Sequence, residues 1–82
     1  MFLFVAFKNR SAASVAYRKL CDAGVVCALF STPTATNLGC GLSIKFGEQD
    51  LPIVKNLCAT GIGCAGFFRG NRINQKTIVT RL

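Results

Sequence analysis

The chain opens on an unbroken apolar run, FLFVAF at residues 2–7. Aromatic and β-branched side chains over six positions predict a strand, and neither of its faces is polar. Beyond it, Ala13, Ala16, Leu20 and Ala23 recur at helical spacing, with Val15 and Tyr17 flanking them. Ser11 is the expected N-cap of that helix, and Gly24 suits the left-handed position that follows one. Residues 25–31, VVCALFS, read as a second strand. Residues 41–46, GLSIKF, read as a third, with Leu42, Ile44 and Phe46 on one face and Ser43 and Lys45 on the other. Asp50 and Pro52 mark the start of a second helix, since proline is tolerated in a first turn. Leu51, Val54, Leu57 and Cys58 form its apolar stripe and Gly61 closes it. Residues 62–69, IGCAGFFR, read as a fourth strand. Residues 70–82 form a basic C-terminal tail, whose TIVT predicts either a short further strand or a mobile end.

Two segments of this pattern match. LCDAGVVCALF from Leu20 and LCATGIGCAGF from Leu57 both read Leu-Cys-x-x-Gly-aliphatic-x-Cys-Ala-x-Phe. Each follows a strand and a helix, so the chain is a duplicated strand–helix–strand unit. The order βαββαβ predicts an α+β, ferredoxin-like sandwich over residues 1–69, a four-stranded antiparallel sheet with two helices on one face. Because the first strand is apolar on both sides, its open face is expected to be covered by a second copy in a homodimer. Ser43 and Lys45 argue mildly against a fully dry contact there. The glycines of GIGCAG (61–66) lack the strand-then-helix context of a dinucleotide site and are read as turn and close packing.

Composition narrows the functional classes. In 82 residues, 51% are apolar, a rich supply for so small a core, and part of it is expected to be covered by a partner. Ten Lys and Arg against three Asp and Glu give a net charge of +7, which steers anions. Histidine is absent, which removes the commonest general base and the nitrogen ligand usual for zinc. The apolar run after Met1 precedes its positive charges rather than following them, unlike a signal peptide. No apolar stretch reaches the roughly 20 residues of a membrane span. The chain reads as cytoplasmic, and its five cysteines as mostly reduced.

The repeat assigns four cysteines to matching places: Cys21 and Cys58 near helix ends, Cys27 and Cys64 in strands. Free cysteine in such places behaves as a small hydrophobe, and packing is the plain reading, with disulfides or a metal as alternatives. The Cys-x5-Cys spacing is not the short knuckle of a structural zinc site, so no metal is expected. Cys40 has no counterpart. It lies between Gly39 and Gly41 in the connection TPTATNLGCG (32–41), and connections concentrate functional residues. In the expected topology the start of the third strand lies beside the end of the first. Cys40 would then face Lys8, Asn9, Arg10 and Ser11 at a helix N-terminus. Cations and a helix N-terminus lower a thiol pKa from about 8.5 to roughly 3.5–7.5. The flanking glycines would let backbone approach a ligand or offer N–H groups to an anion.

TPTATNLGCGLSIKF (32–46), preceded by a βαβ unit and followed by EQDLPIVKNL (48–57), resembles a family of small proteins described as selenium/sulfur carrier-like. The likeness covers roughly residues 2–69 and rests on Thr32, Pro33, Cys40, Gly41 and the order of elements. It implies that Cys40 carries a persulfide or selenopersulfide. Two positions depart from the family pattern. Thr34 stands where an Arg often follows the Pro, so support of an anion would fall to Lys8 or Arg10, and Gly39 stands where Ser often precedes the Cys. The reading is a small thiol carrier or accessory protein rather than a stand-alone enzyme. Its partners would be sulfur or selenium donor and acceptor proteins, and no cofactor is expected. The alternative is a binding module or complex subunit acting through the open sheet face. Nucleic acid is the least favoured occupant, because GLSIKF lacks the aromatic pattern of the RNA-recognition motif.

Overall fold

The computed structural model describes residues 2–32, 41–73 and 76–82, without the side chains of residues 72, 73, 76 and 77. Strand β1 (Phe2–Phe7) leads into helix α1 (Arg10–Asp22), followed by strands β2 (Cys27–Ser31) and β3 (Leu42–Phe46). A 3-10 turn (Glu48–Asp50) then runs into helix α2 (Leu51–Cys58), and strands β4 (Cys64–Ile73) and β5 (Lys76–Arg81) complete the chain. The sheet has the order β2-β3-β1-β4-β5, and every adjacent pair is antiparallel.

The all-apolar run 2–7 occupies the centre of this sheet because only a central strand can bury both its faces. Leu3, Val5 and Phe7 point to the helices and join Ala13, Ala16 and Leu20 of α1, Val54 of α2, and Ile44 and Phe46 of β3 in one core. Small Ala13 and Ala16 let α1 lie close on the strands, and both are fully buried. Phe4 and Ala6 point the other way and form a second core with Phe68, packed by Phe2, Phe30, Ala65 and Val79.

The sheet has five strands rather than the four expected, and residues 70–82 are not a separate tail. β4 continues past Arg69 to Ile73, and β5 pairs with it from Phe68↔Arg81 to Ile73↔Lys76. The β-branched TIVT segment has the propensity for this, and it covers the edge that β4 would otherwise present to solvent. Val79 packs on the second core, and the Arg81 guanidinium lies 5.6 Å from the centre of the Phe68 ring.

The face away from the helices closes on itself. Phe4 is fully buried beneath Phe2, Phe30 and Phe68, whose ring centres lie 5.8, 5.3 and 5.3 Å away. Gly70 makes room for this arrangement: a Cβ there would stand 2.5 Å from the Phe2 ring. Lys45 Nζ sits 5.2 Å from the centre of the Phe2 ring. The bare apolar face that called for a second copy is therefore covered by the chain's own aromatic side chains.

Helix α1 starts one residue ahead of Ser11. Asn9, in extended conformation, is its N-cap, and its Oδ1 accepts the Ala12 N–H at 2.7 Å. Asn is at least as good a cap as Ser, and capping from Asn9 leaves Ser11 exposed inside the first turn.

Candidate functional site: one end of the sheet around Phe7

Pairing of β1 with β3 in the register Ala6↔Ser43 carries the start of β3 alongside the end of β1, as the topology expected. Gly41 packs there: a Cβ on it would lie 3.5 Å from the Phe7 carbonyl oxygen and 3.7 Å from Thr32 Oγ1. These are ordinary contacts, so nothing among the described residues demands glycine at 41. The Thr32 N–H donates to the Gly41 carbonyl at 2.9 Å. The Thr32 hydroxyl and that of Ser43, which is 0% exposed, hydrogen-bond at 2.8 Å. Backbone and side chain of one threonine thus tie the end of β2 to the start of β3. The segment between, with Pro33, Thr34, Gly39 and Cys40, lies outside the described residues.

Helix α1 starts at the same end. The Lys8 N–H donates to the Gly63 carbonyl at 2.9 Å, which anchors the turn between β1 and α1. The side chains of Lys8, Arg10 and Ser11 are exposed, and no acidic residue stands in the first turn of α1. Positive helix dipole and positive side chains therefore add rather than cancel. The structure thus gathers Lys8, Arg10, Ser11, Thr32 and Gly41 at one end of the sheet.

A disulfide joins Cys58 and Cys64, which corrects their reading as free packing thiols. Cys58 ends α2, Cys64 begins β4, and their Cα atoms are 5.7 Å apart, within the range a disulfide spans. The turn between them needs glycine: Gly61 and Gly63 have φ of 84° and 96°. Both sulfurs still pack against the main core, so packing and bonding coexist. Cys64 pairs with Phe7 across β1, which sets the disulfide on the other side of Phe7 from Gly41. The signal for it was in the sequence as a cysteine at a helix end and another at the next strand's start. Cys21 and Cys27 of the first repeat remain free thiols.

Among the described residues no cluster of three or more His, Cys, Asp or Glu could hold a metal ion. Phe4 and Phe68 stack on one another at 5.3 Å and 17°, and both are buried. Their faces are not available to bases, as RNA binding on a sheet would require.

Over residues 2–69 the chain matches the family described as Putative Se/S carrier protein-like. No curated protein and no solved structure matches it significantly. No helix among the described residues is long and apolar enough to cross a membrane. The match covers most of the chain, and the protein belongs to that selenium/sulfur carrier-like family.

Proposed function

We propose that this protein is a small cytoplasmic carrier that holds sulfur or selenium on Cys40 and passes it from a donor protein to an acceptor. The observation that carries this reading is the pinned base at Thr32, Gly41 and Ser43, beside a cationic helix N-terminus. Cys40 is joined to that base through the peptide bond to Gly41. A thiol at such an end is favoured as thiolate. Attack of the thiolate on the outer sulfur of a donor persulfide forms the new S–S bond and releases the donor as its thiolate. An acceptor nucleophile then takes the outer sulfur and Cys40 leaves as thiolate, so no cofactor is consumed. A carrier of this kind needs an accessible thiol and a docking surface rather than a general base, which suits a chain without histidine.

The fold reading that goes with this is a ferredoxin-like βαββαβ core extended by β5. In a reducing cytoplasm a disulfide such as Cys58–Cys64 is expected to be exchangeable rather than purely structural. Self-association is not needed by this reading, because the sheet face that suggested it is already covered.

The test is transfer from glutathione persulfide to the reduced full chain, with peptide mapping of the added sulfur. Wild type gains one sulfur on Cys40 and Cys40→Ser gains none there. Equal uptake of sulfur by Cys40→Ser would sink the proposal.

A further inference from the structure

We propose that Cys21 and Cys27 form a second thiol–disulfide centre, which exchanges with low-molecular-weight disulfides, Cys21 attacking and Cys27 resolving. It stands apart from the Cys40 reading. The first support is structural equivalence between the two repeats. Cys21 lies in the last turn of α1 and Cys27 begins β2, as Cys58 ends α2 and Cys64 begins β4. Both connections turn through a glycine three residues after the first cysteine, Gly24 at φ 82° and Gly61 at φ 84°. Their hydrogen bonds match as well. Ala23 N–H donates to Leu20 O at 3.1 Å as Thr60 N–H does to Leu57 O at 3.1 Å. Gly24 N–H donates to Cys21 O at 3.0 Å as Gly61 N–H does to Cys58 O at 3.3 Å. The backbone frame that holds a disulfide in the second unit is thus largely repeated around two thiols in the first.

The second support is proximity and access. Burial first, and then Cys21 through hydrogen bonding and charge, push the Cys27 thiol up, and Cys21 acts in the same way on the Tyr17 phenol one turn earlier on α1, so the two thiols are near enough to influence one another. Cys21 is exposed and Cys27 partly so. The charged group that acts on Cys27 from the facing element is Asp50, at the end of the 3-10 turn. The exposed thiol is the one an outside disulfide reaches, and the half-buried one is placed to close the ring.

A local difference sets the two pairs apart. Val26 stands where the second unit has Gly63, whose φ of 96° a β-branched residue does not adopt without strain. The first connection therefore reaches its second cysteine by a different last step, and its two cysteines are free where those of the second unit are bonded. The pairs cannot trade directly. Cys27 is in line with Phe46 and Leu3, whereas Cys64 is in line with Phe7. Four residues along β1 and three strand spacings separate them, about 20 Å from standard sheet dimensions. The oxidant must come from outside.

The exchange balances as follows. The Cys21 thiolate attacks one sulfur of a small disulfide, forming a mixed disulfide and expelling one small thiolate. Cys27, its proton lost to solvent, attacks the Cys21 sulfur, closes the protein disulfide and expels the second small thiolate. The two protein thiols lose two electrons and two protons, and the small disulfide gains them as two thiols.

The experiment uses the full-length Cys40→Ser chain, so that failure of the carrier reading cannot decide it. The chain is equilibrated in glutathione buffers from fully reduced to fully oxidised. Remaining thiols are then alkylated, and the protein is cleaved before Asp22 so that only a disulfide holds Cys21 to Cys27. Expected are a linked peptide pair and loss of both labels in step. In Cys27→Ser, and in Cys27→Ala should the serine disturb the strand, a glutathione adduct accumulates on Cys21 instead. Independent loss of the two labels, or separate glutathione adducts on both cysteines with no linked pair, overturns the proposal.

Discussion

Thr32 offers the sharpest test of how the base of the Cys40 segment is held. Thr32→Val keeps the shape and the backbone N–H that reaches Gly41, but removes the hydroxyl that meets Ser43 at 2.8 Å. Ser43 is fully buried, so its hydroxyl loses this partner where water cannot replace it. A buried polar group left in that state costs about 1–3 kcal/mol. Ser43→Ala removes the group itself and is expected to cost less, about 0.5–1.5 kcal/mol. In Thr32→Val with Ser43→Ala no hydroxyl is stranded, so the double variant should be no less stable than Thr32→Val alone. The coupling energy is then about 1 kcal/mol, in the range for residues in contact. Urea unfolding measures it, provided the slope stays constant so that the midpoints report stability. Alkylation of Cys40 in the same proteins gives the functional readout: its rate should change in Thr32→Val, while that of Cys21 should not. Strict additivity of the two single costs would show that the two hydroxyls do not act together, and the pinned base would have to be abandoned.

Three further outcomes follow from particular groups. Asn9→Ala should cost about 1 kcal/mol through loss of the α1 cap, whereas Ser11→Ala should stay within about 0.5 kcal/mol; thermal unfolding of both compares them directly. Opening Cys58–Cys64, which closes a loop of sequence separation 6, should cost about 2 kcal/mol on the chain-entropy estimate, and urea unfolding of Cys58→Ser with Cys64→Ser measures it. Burial first, then the hydrogen bond and charge of Cys21 and the charge of Asp50, push the Cys27 thiol up to about 11. Its alkylation should therefore keep rising to about pH 11. Between the ordinary thiol pKa and that value the unfolded chain ionises while the folded chain does not, so this group's contribution to stability falls as pH rises. Alkylation of Cys27 that levels off near the ordinary thiol value would refute the assignment.

How much of this was legible in the sequence can be read from single positions. The central strand was, because FLFVAF has no polar face and only the middle of a sheet accepts that. The helix ends were legible from Gly24 and Gly61, whose positive φ angles few other residues take. The cap is ambiguous in the sequence because Ser11 and Asn9 are both good caps, and the Asn9 side chain reaching Ala12 decides between them. The fifth strand is harder to read because its basic residues suggest solvent, whereas the Arg81 guanidinium lies over the Phe68 ring. The disulfide is not legible because a Cys-x5-Cys spacing does not say whether helix end and strand start come together. The cover of the open sheet face is not legible for a similar reason: the pattern shows that the first strand is apolar on both sides, but not that the rings of Phe2, Phe30 and Phe68 close over Phe4.

The duplication itself explains why the two ends of the sheet differ chemically. Equivalent positions in the two units precede α1 and α2, so each end of the sheet carries one helix start. Before α1 and in its first turn stand Lys8 and Arg10, with no acid. Before α2 stand Glu48 and Asp50 in the 3-10 turn. The helix dipole is the same in both, but the side chains reinforce it at one end and oppose it at the other. The acidic end faces Cys27, where Asp50 helps to hold the thiol protonated. The cationic end faces Gly41, next in the chain to Cys40. On the proposed carrier reading the fold has one favourable end for a thiolate, and Cys40, the cysteine without a counterpart in the repeat, adjoins that end in the chain. Exchanging the charges tests this: Lys8→Glu with Arg10→Glu should raise the apparent pKa of Cys40 alkylation and leave that of Cys27 unmoved. An unchanged Cys40 profile at low salt would mean that the charge asymmetry plays no part in its chemistry.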